Sequence, residues 1–489
     1  MDIVQLFALI PLLVVASVSV VVMLLIAFVR SHALICLVTC IGLFAGIVGC
    51  LLTVGDGVTQ VTPLLVMDDF TRIFCALMLG ISLAASWMAY AYLEASEEIK
   101  EEYYILLALA ALGGCVLIAS NHFASMFIGI ELLSVSLFAM VGYMTHSGKA
   151  SDVTLEGGVK YMIMSGVSSS FLLFGVALVY AHSGNLAIDL LAAPAGPTLS
   201  DGYLIVGTAM ILIGMAFKLS WVPFHMWTPD VYQGAPAPVT GFLASGAKIA
   251  VFAFLIRFLI ASGPDRIELL LMGLGIMAVG SMLLGNLMAL LQDNLKRLLA
   301  YSSVAHMGYM MVALIAAIQV GSISSDIASE AIGVYMVAYA VLTLLAFAVL
   351  SLLAARNPSY ETGDIQLYRG LLYRHPLMAI SLFVAFLGLI GMPLTAGFVG
   401  KYYLMLAGVD QQLWGLLWVL IIGSALGLYY YLKVILVMCK EPEGEAVADA
   451  PVRSGFAGVL IGLLCLSVLF VGVHPSPIIE WIQLALVSL

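Results

Sequence analysis

The stretch KLSWVPFHMWTPDVYQGAPAPV, residues 218–239, separates two long apolar segments. It begins with a lysine and contains four prolines, and a second lysine, Lys248, lies within the apolar segment that follows. Proline removes a backbone hydrogen-bond donor and breaks a helix. The stretch therefore predicts an interruption flanked by charged residues in a chain that otherwise consists of long apolar helices.

The composition is that of a membrane protein. Of the 489 residues, 63% are hydrophobic and 9% are charged, whereas soluble proteins carry about 25% charged residues. Apolar segments of about 20 residues recur along the chain, and each is long enough to cross a bilayer core of about 30 Å. We therefore expect an all-α polytopic protein with about fourteen transmembrane helices, near residues 3–29, 33–54, 70–94, 103–120, 122–145, 154–182, 203–221, 238–261, 267–290, 297–320, 329–355, 375–408, 411–438 and 455–485.

Several classes of partner and cofactor are not expected. The formal net charge is −10 and no basic cluster is present, so we expect contact with the lipid bilayer and none with nucleic acid. No C-x-x-C pair occurs among the seven cysteines, which argues against an Fe–S cluster or zinc site and for buried small side chains. We expect no metal and no cofactor in this chain.

The distribution of basic residues predicts the orientation in the membrane. Cytoplasmic loops of membrane proteins are enriched in lysine and arginine. An outward-facing N-terminus places eleven basic residues in the inner loops and two, Arg72 and Arg266, on the outer side. We therefore expect both termini on the outer side.

Four lysines and one glutamate lie within apolar segments, away from their ends. A charge at the bilayer centre costs about 2.5–3.5 kcal/mol on insertion scales. Such residues face the protein interior or water, pair with one another and mark ion or proton paths. They are Lys160, Lys218, Lys248, Lys401 and Glu131. Arg257, near the outer end of its segment, is expected instead to extend towards the membrane surface.

The depth of each residue along its predicted helix indicates which residues lie near the membrane centre. With a rise of about 1.5 Å per residue, Glu131, Lys248 and His306 lie roughly 14–15 Å inside their helices, near the membrane centre. We interpret them as members of a proton relay. Structural roles remain open for His306, which could be a packing histidine, and for Lys160, which could extend to the inner surface. A purely structural ion pair also remains an alternative for Glu131, Lys218, Lys248 and Lys401.

A second interruption, GLIGMPLTAGFVGKYY (388–403), divides an apolar run of some 34 residues close to Lys401. Two interrupted helices in the two halves of a membrane chain point to inverted repeats with the ion site at the breaks. We expect three N-terminal helices (1–96), two five-helix repeats (97–264 and 265–440), and a loop with a C-terminal helix (441–489).

These residue types suggest a mechanism. A carboxylate near a lysine favours the protonated amine, so movement of Glu131 relative to Lys218 would change whether Lys218 holds its proton. Lys248 and His306 could pass the proton on. The chain has no nucleotide-binding loop and no redox motif, so we expect the energy to come from outside it.

Four stretches carry a resemblance to a known family: LGGCVLIASNHFASMFIGIELLSVSLFAMVGY (112–143), residues 218–239, NLKRLLAYSSVAHMGYM (294–310) and GMPLTAGFVGKYYL (391–404). Over its whole length the chain resembles the antiporter-like membrane subunits of proton-pumping NADH:quinone oxidoreductase, or complex I, and is most similar to the subunit N branch. The resemblance implies a translocase subunit in the bacterial inner membrane that contacts sister antiporter-like subunits. FMN, Fe–S clusters, NADH and quinone would be bound by other subunits.

The resemblance also implies that helices 7 and 12 of the fourteen are discontinuous, and it implies roles for several residues. Glu131 corresponds to the glutamate of helix 5, Lys218 to its partner in helix 7, Lys248 to the linking lysine of helix 8 and Lys401 to the exit-side lysine of helix 12. Sister subunit M carries glutamate at this last position, and sister subunit L is longer, with a lateral helix. Two other functions remain open: a self-standing sodium/proton antiporter, and a scaffold that holds neighbouring pump subunits.

Overall fold

The computed structural model describes residues 3–95, 100–143, 150–188, 201–261, 268–320, 327–442 and 455–487. Helices before the first interruption are α1 (Ile3–Phe28), α2 (His32–Leu52), α3 (Asp69–Glu94), α4 (Glu102–Ile118), α5 (Phe123–Val141), α6 (Ala150–Ser183) and α7 (Asp201–Lys218). Those that follow are α8 (Thr228–Gly234), α9 (Ala237–Phe242), α10 (Lys248–Ala261), α11 (Glu268–Leu290), α12 (Leu295–Val320), α13 (Ile327–Arg356), α14 (Leu371–Arg374), α15 (Pro376–Ile390), α16 (Ala396–Asp410), α17 (Trp414–Cys439), α18 (Gly455–Val473) and α19 (Ser476–Val487).

The predicted all-α membrane fold is confirmed. Within the described residues, ten helical segments are long and apolar enough to cross a membrane, or eleven if α18 and α19 count as one span. The count of fourteen stays a prediction, because α4, α7 and α15 are shorter, with 17, 18 and 15 residues. The division into two inverted repeats also stays a prediction.

A short antiparallel hairpin, β1 (Thr59–Thr62) and β2 (Leu65–Met67), joins α2 to α3. The sequence prediction contained only helices and missed it. Threonine and valine favour extended backbone, and the amide of Val66 donates to the carbonyl of Ala119 at 2.9 Å. The hairpin therefore packs across the end of α4.

Three segments form the centre of the bundle. In their most apolar 18-residue windows, 100% of α12, 94% of the α9–α10 segment and 89% of α13 are buried, against 28% of α6. A helix that is apolar all round and buried belongs to a core, whereas one with a largely exposed apolar surface faces lipid. Polar side chains on the central segments are therefore enclosed by protein.

Both predicted interruptions are present. The first separates α7 from α8 at residues 219–227, and the second separates α15 from α16 at residues 391–395. Each contains one non-glycine residue in the left-handed region, Ser220 with φ 61° and Leu394 with φ 70°. Such backbone is costly for L-residues, so the surrounding structure must hold it in place.

The last predicted span, 455–485, is wrong as a single helix. The chain bends by 83° between α18 and α19, next to Pro475 and Pro477. Helix α19 then packs against α3 and α13, and Gln483 Nε2 donates to Glu330 Oε1 at 2.7 Å. The apolar composition predicted a membrane span, but the two prolines end the helix and turn its last part across the bundle.

Candidate functional site

The six predicted site residues lie on six different helices and differ in exposure. Four are buried: Lys218, Lys248, His306 and Lys401 are 8%, 1%, 4% and 6% exposed. Glu131 is half-buried. The side chain of Lys160 is 43% exposed. The structure therefore separates a buried series of lysines and one histidine from a more accessible lysine.

Lys218 is the last residue of α7, and its ammonium group is surrounded by hydroxyls. Its Nζ donates to Ser134 Oγ of α5 at 2.6 Å and to Ser165 Oγ of α6. Glu131 Oε1 accepts from Ser169 Oγ at 2.5 Å. Ser165 and Ser169 lie one helical turn apart on α6, so this helix contributes a serine to each charged residue. Within the described contacts Glu131 and Lys218 are not directly paired, and each binds a serine hydroxyl.

The end of α7 is shaped by Ser220. Its left-handed backbone lets the amide of Trp221 donate back to the carbonyl of Ala216 at 2.8 Å. Thr228 Oγ1 donates to Ser220 Oγ at 2.8 Å and ties α8 to this turn. Lys218 thus lies at a helix C-terminus, where the helix dipole favours positive charge.

Lys248 follows one turn of π-helix, Leu243–Ala247. Such turns occur frequently at functional sites because they change the direction of the side chains that follow. Lys248 Nζ donates to Ser303 Oγ at 2.6 Å, and Ser303 Oγ lies 2.5 Å from Tyr339 Oη. The ammonium nitrogen also lies 5.9 Å from the centre of the Tyr232 ring.

His306 is one helical turn beyond Ser303 on α12. Its Nδ1 shares a hydrogen bond of 2.6 Å with Tyr335 Oη, and its ring lies 5.5 Å from that of Tyr339. His306, both tyrosines and Lys401 line a cavity of about 10 Å³. One water molecule needs roughly 10–15 Å³ and several polar partners. The cavity therefore has the size and lining for a single water between His306 and Lys401.

Lys401 is held by the second interruption. Its Nζ donates to the carbonyl of Ile390, the last residue of α15, at 2.8 Å and to Ser424 Oγ at 3.3 Å. The nitrogen lies 5.1 Å from the centre of the Tyr309 ring. Gly391 has φ 89°, and a Cβ there would lie 2.8 Å from Lys401 Cδ. Glycine is therefore needed both for the turn and for the passage of the lysine.

Lys160 takes part in a different network. Its Nζ lies 2.7 Å from Asp230 Oδ2 and 2.6 Å from Glu156 Oε1. Asp230 Oδ1 accepts from Arg297 Nη1 at 2.7 Å. Asp230 thus connects α6 with α12, and Lys160 is ion-paired at a partly exposed position instead of belonging to the buried series.

The expectation for Arg257 was wrong. This residue is 9% exposed, and its Nη2 donates to both carboxylate oxygens of Asp68, at 3.0 and 2.8 Å, and to Thr71 Oγ1 at 3.0 Å. Asp68 also caps the N-terminus of α3. The side chain pairs inside the bundle because a carboxylate 189 residues away is folded against it.

Sequence reasoning missed the uncharged partners of the buried charges. These are Ser134, Ser165, Ser169, Ser303, Ser424, Tyr335 and Tyr339. For Ser134 and Ser303 a signal was available, because each lies three positions from a predicted site residue on its own helix, Glu131 and His306, and such positions share a helix face. His225 was also missed: it is 8% exposed, and its Nδ1 has no hydrogen-bond partner among the residues that the structure describes.

No metal site accompanies these residues in the described part of the chain: it contains no group of three or more His, Cys, Asp or Glu side chains placed to hold an ion. The buried series consists of amines, an imidazole and hydroxyls. Such groups bind and release protons or donate hydrogen bonds. Proton exchange is therefore among the reactions that these side chains can carry out.

Comparison with known proteins agrees with this chemistry. The family described as NADH:quinone oxidoreductase/Mrp antiporter, TM, matches residues 120–427. A chain of respiratory complex I from Thermus thermophilus with bound aureothin is 31% identical, with a TM-score of 0.80, and the match covers 96% of this chain and 98% of that one.

Two more distant structures share the fold. A chain of the membrane-bound sulfane sulfur reductase, an archaeal respiratory membrane complex, has 22% identity and a TM-score of 0.84, covering 99% of this chain and 97% of that one. A chain of the Mrp complex from Dietzia sp. DQ12-45-1b has 23% identity and a TM-score of 0.83, covering 98% and 97%. The chain belongs to the NADH:quinone oxidoreductase/Mrp antiporter family of proton-translocating membrane subunits.

Proposed function

We propose that this chain is a proton-translocating subunit of a respiratory NADH:quinone oxidoreductase, from the subunit N branch of the family. The identity of 31% with a Thermus thermophilus complex I chain over nearly the full length supports the parent enzyme. Lysine at position 401 supports the branch, because subunit M carries glutamate there. In this proposal, sister antiporter-like subunits are the neighbours, and the chain lies in a bacterial inner membrane with both termini on the periplasmic side.

The observation that carries the proposal is the nature of the lysine partners. Lys218, Lys248 and Lys401 bind hydroxyl or carbonyl oxygens, and none is in an ion pair within the described residues. A hydroxyl both donates and accepts hydrogen bonds, so it satisfies an ammonium as well as a neutral amine. A carboxylate would stabilise only the charged form. Lysines with hydroxyl partners can therefore lose and regain a proton without leaving a buried group unpaired.

The proposed path has two parts. In the first part, the serines of α5 and α6 connect Glu131 with Lys218, so that each charged residue affects the other through these hydroxyls. In the second, a proton passes from Lys248 to Ser303 and Tyr339 along hydrogen bonds, and then across the water-sized cavity lined by Tyr339, His306 and Lys401, because no hydrogen bond among the described residues joins Tyr339 to His306. The hydrogen bonds of the described residues do not join Lys218 to Lys248. Water entering at the first interruption would connect the two parts.

The energy comes from other subunits in this proposal. Moving one proton against a membrane potential costs about 2.3 kcal/mol per 100 mV, and the described residues include no metal-ligand cluster. Electron transfer from NADH to quinone, through FMN and Fe–S clusters bound elsewhere, would supply it. Rearrangement at the interface with a sister subunit would then displace Glu131 relative to Lys218.

Substitution of Lys218 by alanine tests the proposal in the assembled complex. Membrane vesicles that carry Lys218→Ala should oxidise NADH and contain a normally assembled complex, yet acidify at a rate at least tenfold lower per NADH. Lys433→Ala is the matched control, because Lys433 is an exposed lysine paired with Asp293 on the bundle surface. Vesicle acidification, NADH oxidation and native gels measure the three properties.

The same experiment separates the alternatives. Unchanged acidification by Lys218→Ala in a normally assembled complex would support the scaffold function and contradict a proton path through this residue. Sodium-driven proton exchange by vesicles that contain this chain without its partners would support a self-standing antiporter. The similarity to the Dietzia Mrp complex, at 23% identity, concerns the fold alone and does not favour that alternative.

A further inference from the structure

A second cavity lies away from the buried lysines, between α13, α15 and α18. Its volume is about 360 Å³, which is within the roughly 300–1,000 Å³ typical of small-molecule sites. It opens where α13 ends at Arg356 and α15 begins at Pro376. These helix ends lie at the edge of the apolar part of the bundle, so the cavity spans the boundary between the polar and apolar layers of a membrane.

One end of this cavity is cationic. Arg374 lines it together with Arg356 and His375, whose Nη1 and Nδ1 atoms lie 3.2 Å apart, and none of its lining residues, all in the described part of the chain, is acidic. Arg374 Nη2 donates to the carbonyls of Leu367 and Arg369, at 3.1 and 2.5 Å. These carbonyls fix the guanidinium without neutralising its charge. Arg374 therefore brings a positive charge to the cavity that an anion can compensate.

The N-terminus of α15 points to the same ligand chemistry. The first helical hydrogen bond of α15 runs from the amide of Ala379 to the carbonyl of His375, at 3.0 Å. The amides of Leu377 and Met378 precede it, and both residues line the cavity. Amides of the first turn and the helix dipole favour an anion such as phosphate. Helix geometry and guanidinium charge thus favour an anion at the same end.

The rest of the cavity wall is apolar. Leu352 and Ile461 line it, together with Gly458 and Gly462 on α18. A Cβ at either glycine would meet no atom within 4 Å, so α18 presents a flat, open surface. Gly462 and Leu352 each lie one turn, roughly 6 Å, deeper than the charged end. A ligand with an anionic end and an apolar chain would match both regions at once.

We propose that this cavity binds an anionic phospholipid, with the phosphate beside Arg374 and the N-terminus of α15 and an acyl chain along Gly458 and Gly462. A soluble phosphate would use only the cationic end and leave the apolar wall bare. The positive charge selects an anionic lipid over a zwitterionic one, since basic pockets between transmembrane helices bind anionic head groups. The proposal concerns α13, α15 and α18 and does not depend on the proton path.

The test uses the assembled complex in nanodiscs with phosphatidylglycerol that carries a photoreactive group on its acyl chain. We expect crosslinks on residues 455–463 and 371–381, identified by mass spectrometry of peptides. Unlabelled phosphatidylglycerol should suppress them, whereas phosphatidylcholine and inorganic phosphate should not. Suppression by inorganic phosphate would overturn the lipid as the source of the anion. Absence of crosslinks at both segments would indicate that protein closes the cavity, and would also overturn the proposal.

Two variants and a control distinguish the contribution of the Arg374 charge from that of the shape of the apolar wall. Arg374→Gln should reduce labelling about fivefold, as expected for one basic residue at a membrane surface. Arg369→Gln is the matched control, because Arg369 lies just before α14 and is not part of the cavity wall. Gly458→Leu fills the apolar wall and keeps the charge, so it should also lower labelling. Equal labelling of all three variants would contradict the proposal. If Arg374→Gln does not assemble, Gly458→Leu decides alone.

Discussion

Lys218 and Lys401 both lie beside an interrupted helix, yet their surroundings differ. Lys218 ends α7, and its Nζ binds the hydroxyls of Ser134 and Ser165 on two other helices. Lys401 is part of α16, and its Nζ binds the backbone carbonyl of Ile390, which ends α15. The first lysine is therefore held by side chains from neighbouring helices, and the second by the broken helix itself.

The difference suggests different tasks for the two lysines. Glu131, one turn from Ser134, gives the first lysine a carboxylate neighbour whose movement can change its protonation. The second lysine has a carbonyl acceptor and the Tyr309 ring, and no carboxylate contacts it within the described residues. We infer that the first site responds to neighbouring subunits and that the second keeps a constant affinity for the proton.

The largest effect is expected when the first lysine loses both hydroxyls. Hydrogen bonds to charged groups contribute about 1.5–3 kcal/mol each, so Ser134→Ala combined with Ser165→Ala should lower vesicle acidification per NADH more than a hundredfold. The double variant Ser136→Ala with Ser168→Ala is the control, because these serines donate to the backbone carbonyls of Leu132 and Gly214. Similar acidification by both double variants would remove the hydroxyls from the mechanism.

A smaller loss is expected when the turn beside the second lysine is changed. Gly391→Ala places a Cβ against Lys401 Cδ and should lower acidification about tenfold. The left-handed backbone alone costs about 1–2 kcal/mol for an L-residue. Gly55→Ala isolates that cost, because Gly55 has φ 94° and open space around it. Thermal unfolding should therefore be similar for the two variants, and only Gly391→Ala should impair pumping. Equal pumping would mean that Lys401 tolerates displacement.

The single hydroxyl at the second lysine should matter less than the pair at the first. Ser424 Oγ lies 3.3 Å from Lys401 Nζ, a long hydrogen bond, and the Ile390 carbonyl remains when it is removed. Ser424→Ala should therefore reduce acidification only about twofold, near the lower limit of about 0.5 kcal/mol for a hydrogen bond. A loss as large as that of the Ser134 and Ser165 double variant would show that the two sites are not different in kind.

The smallest effect is expected at Lys160, outside both sites. Its ion pair with Glu156 is between partly exposed side chains, and such pairs contribute about 0–1 kcal/mol. Glu156→Gln should change the rate of vesicle acidification less than twofold. The rate should depend on ionic strength as it does in the unmodified complex. A large loss of pumping would place Lys160 on the path, as the sequence first suggested.

The sequence predicted the parts of this molecule that depend on local composition. Apolar runs predicted the helices, prolines predicted the two interruptions, and charges inside apolar segments predicted the positions of the buried lysines. It did not predict which groups contact the buried charges. Arg257 is an example, because its partner Asp68 is distant in the chain and nothing near Arg257 indicates it.

Membrane crossing was determined by the sequence alone, because the cost of placing polar or charged groups in lipid is set residue by residue. Tertiary structure alone decided that serines and tyrosines surround the buried amines and that a π-helical turn precedes Lys248. A serine on an apolar helix is equally compatible with facing lipid, a neighbouring backbone or a lysine. Only the packing of one helix against another selects between these environments, since it brings together residues that the chain keeps far apart.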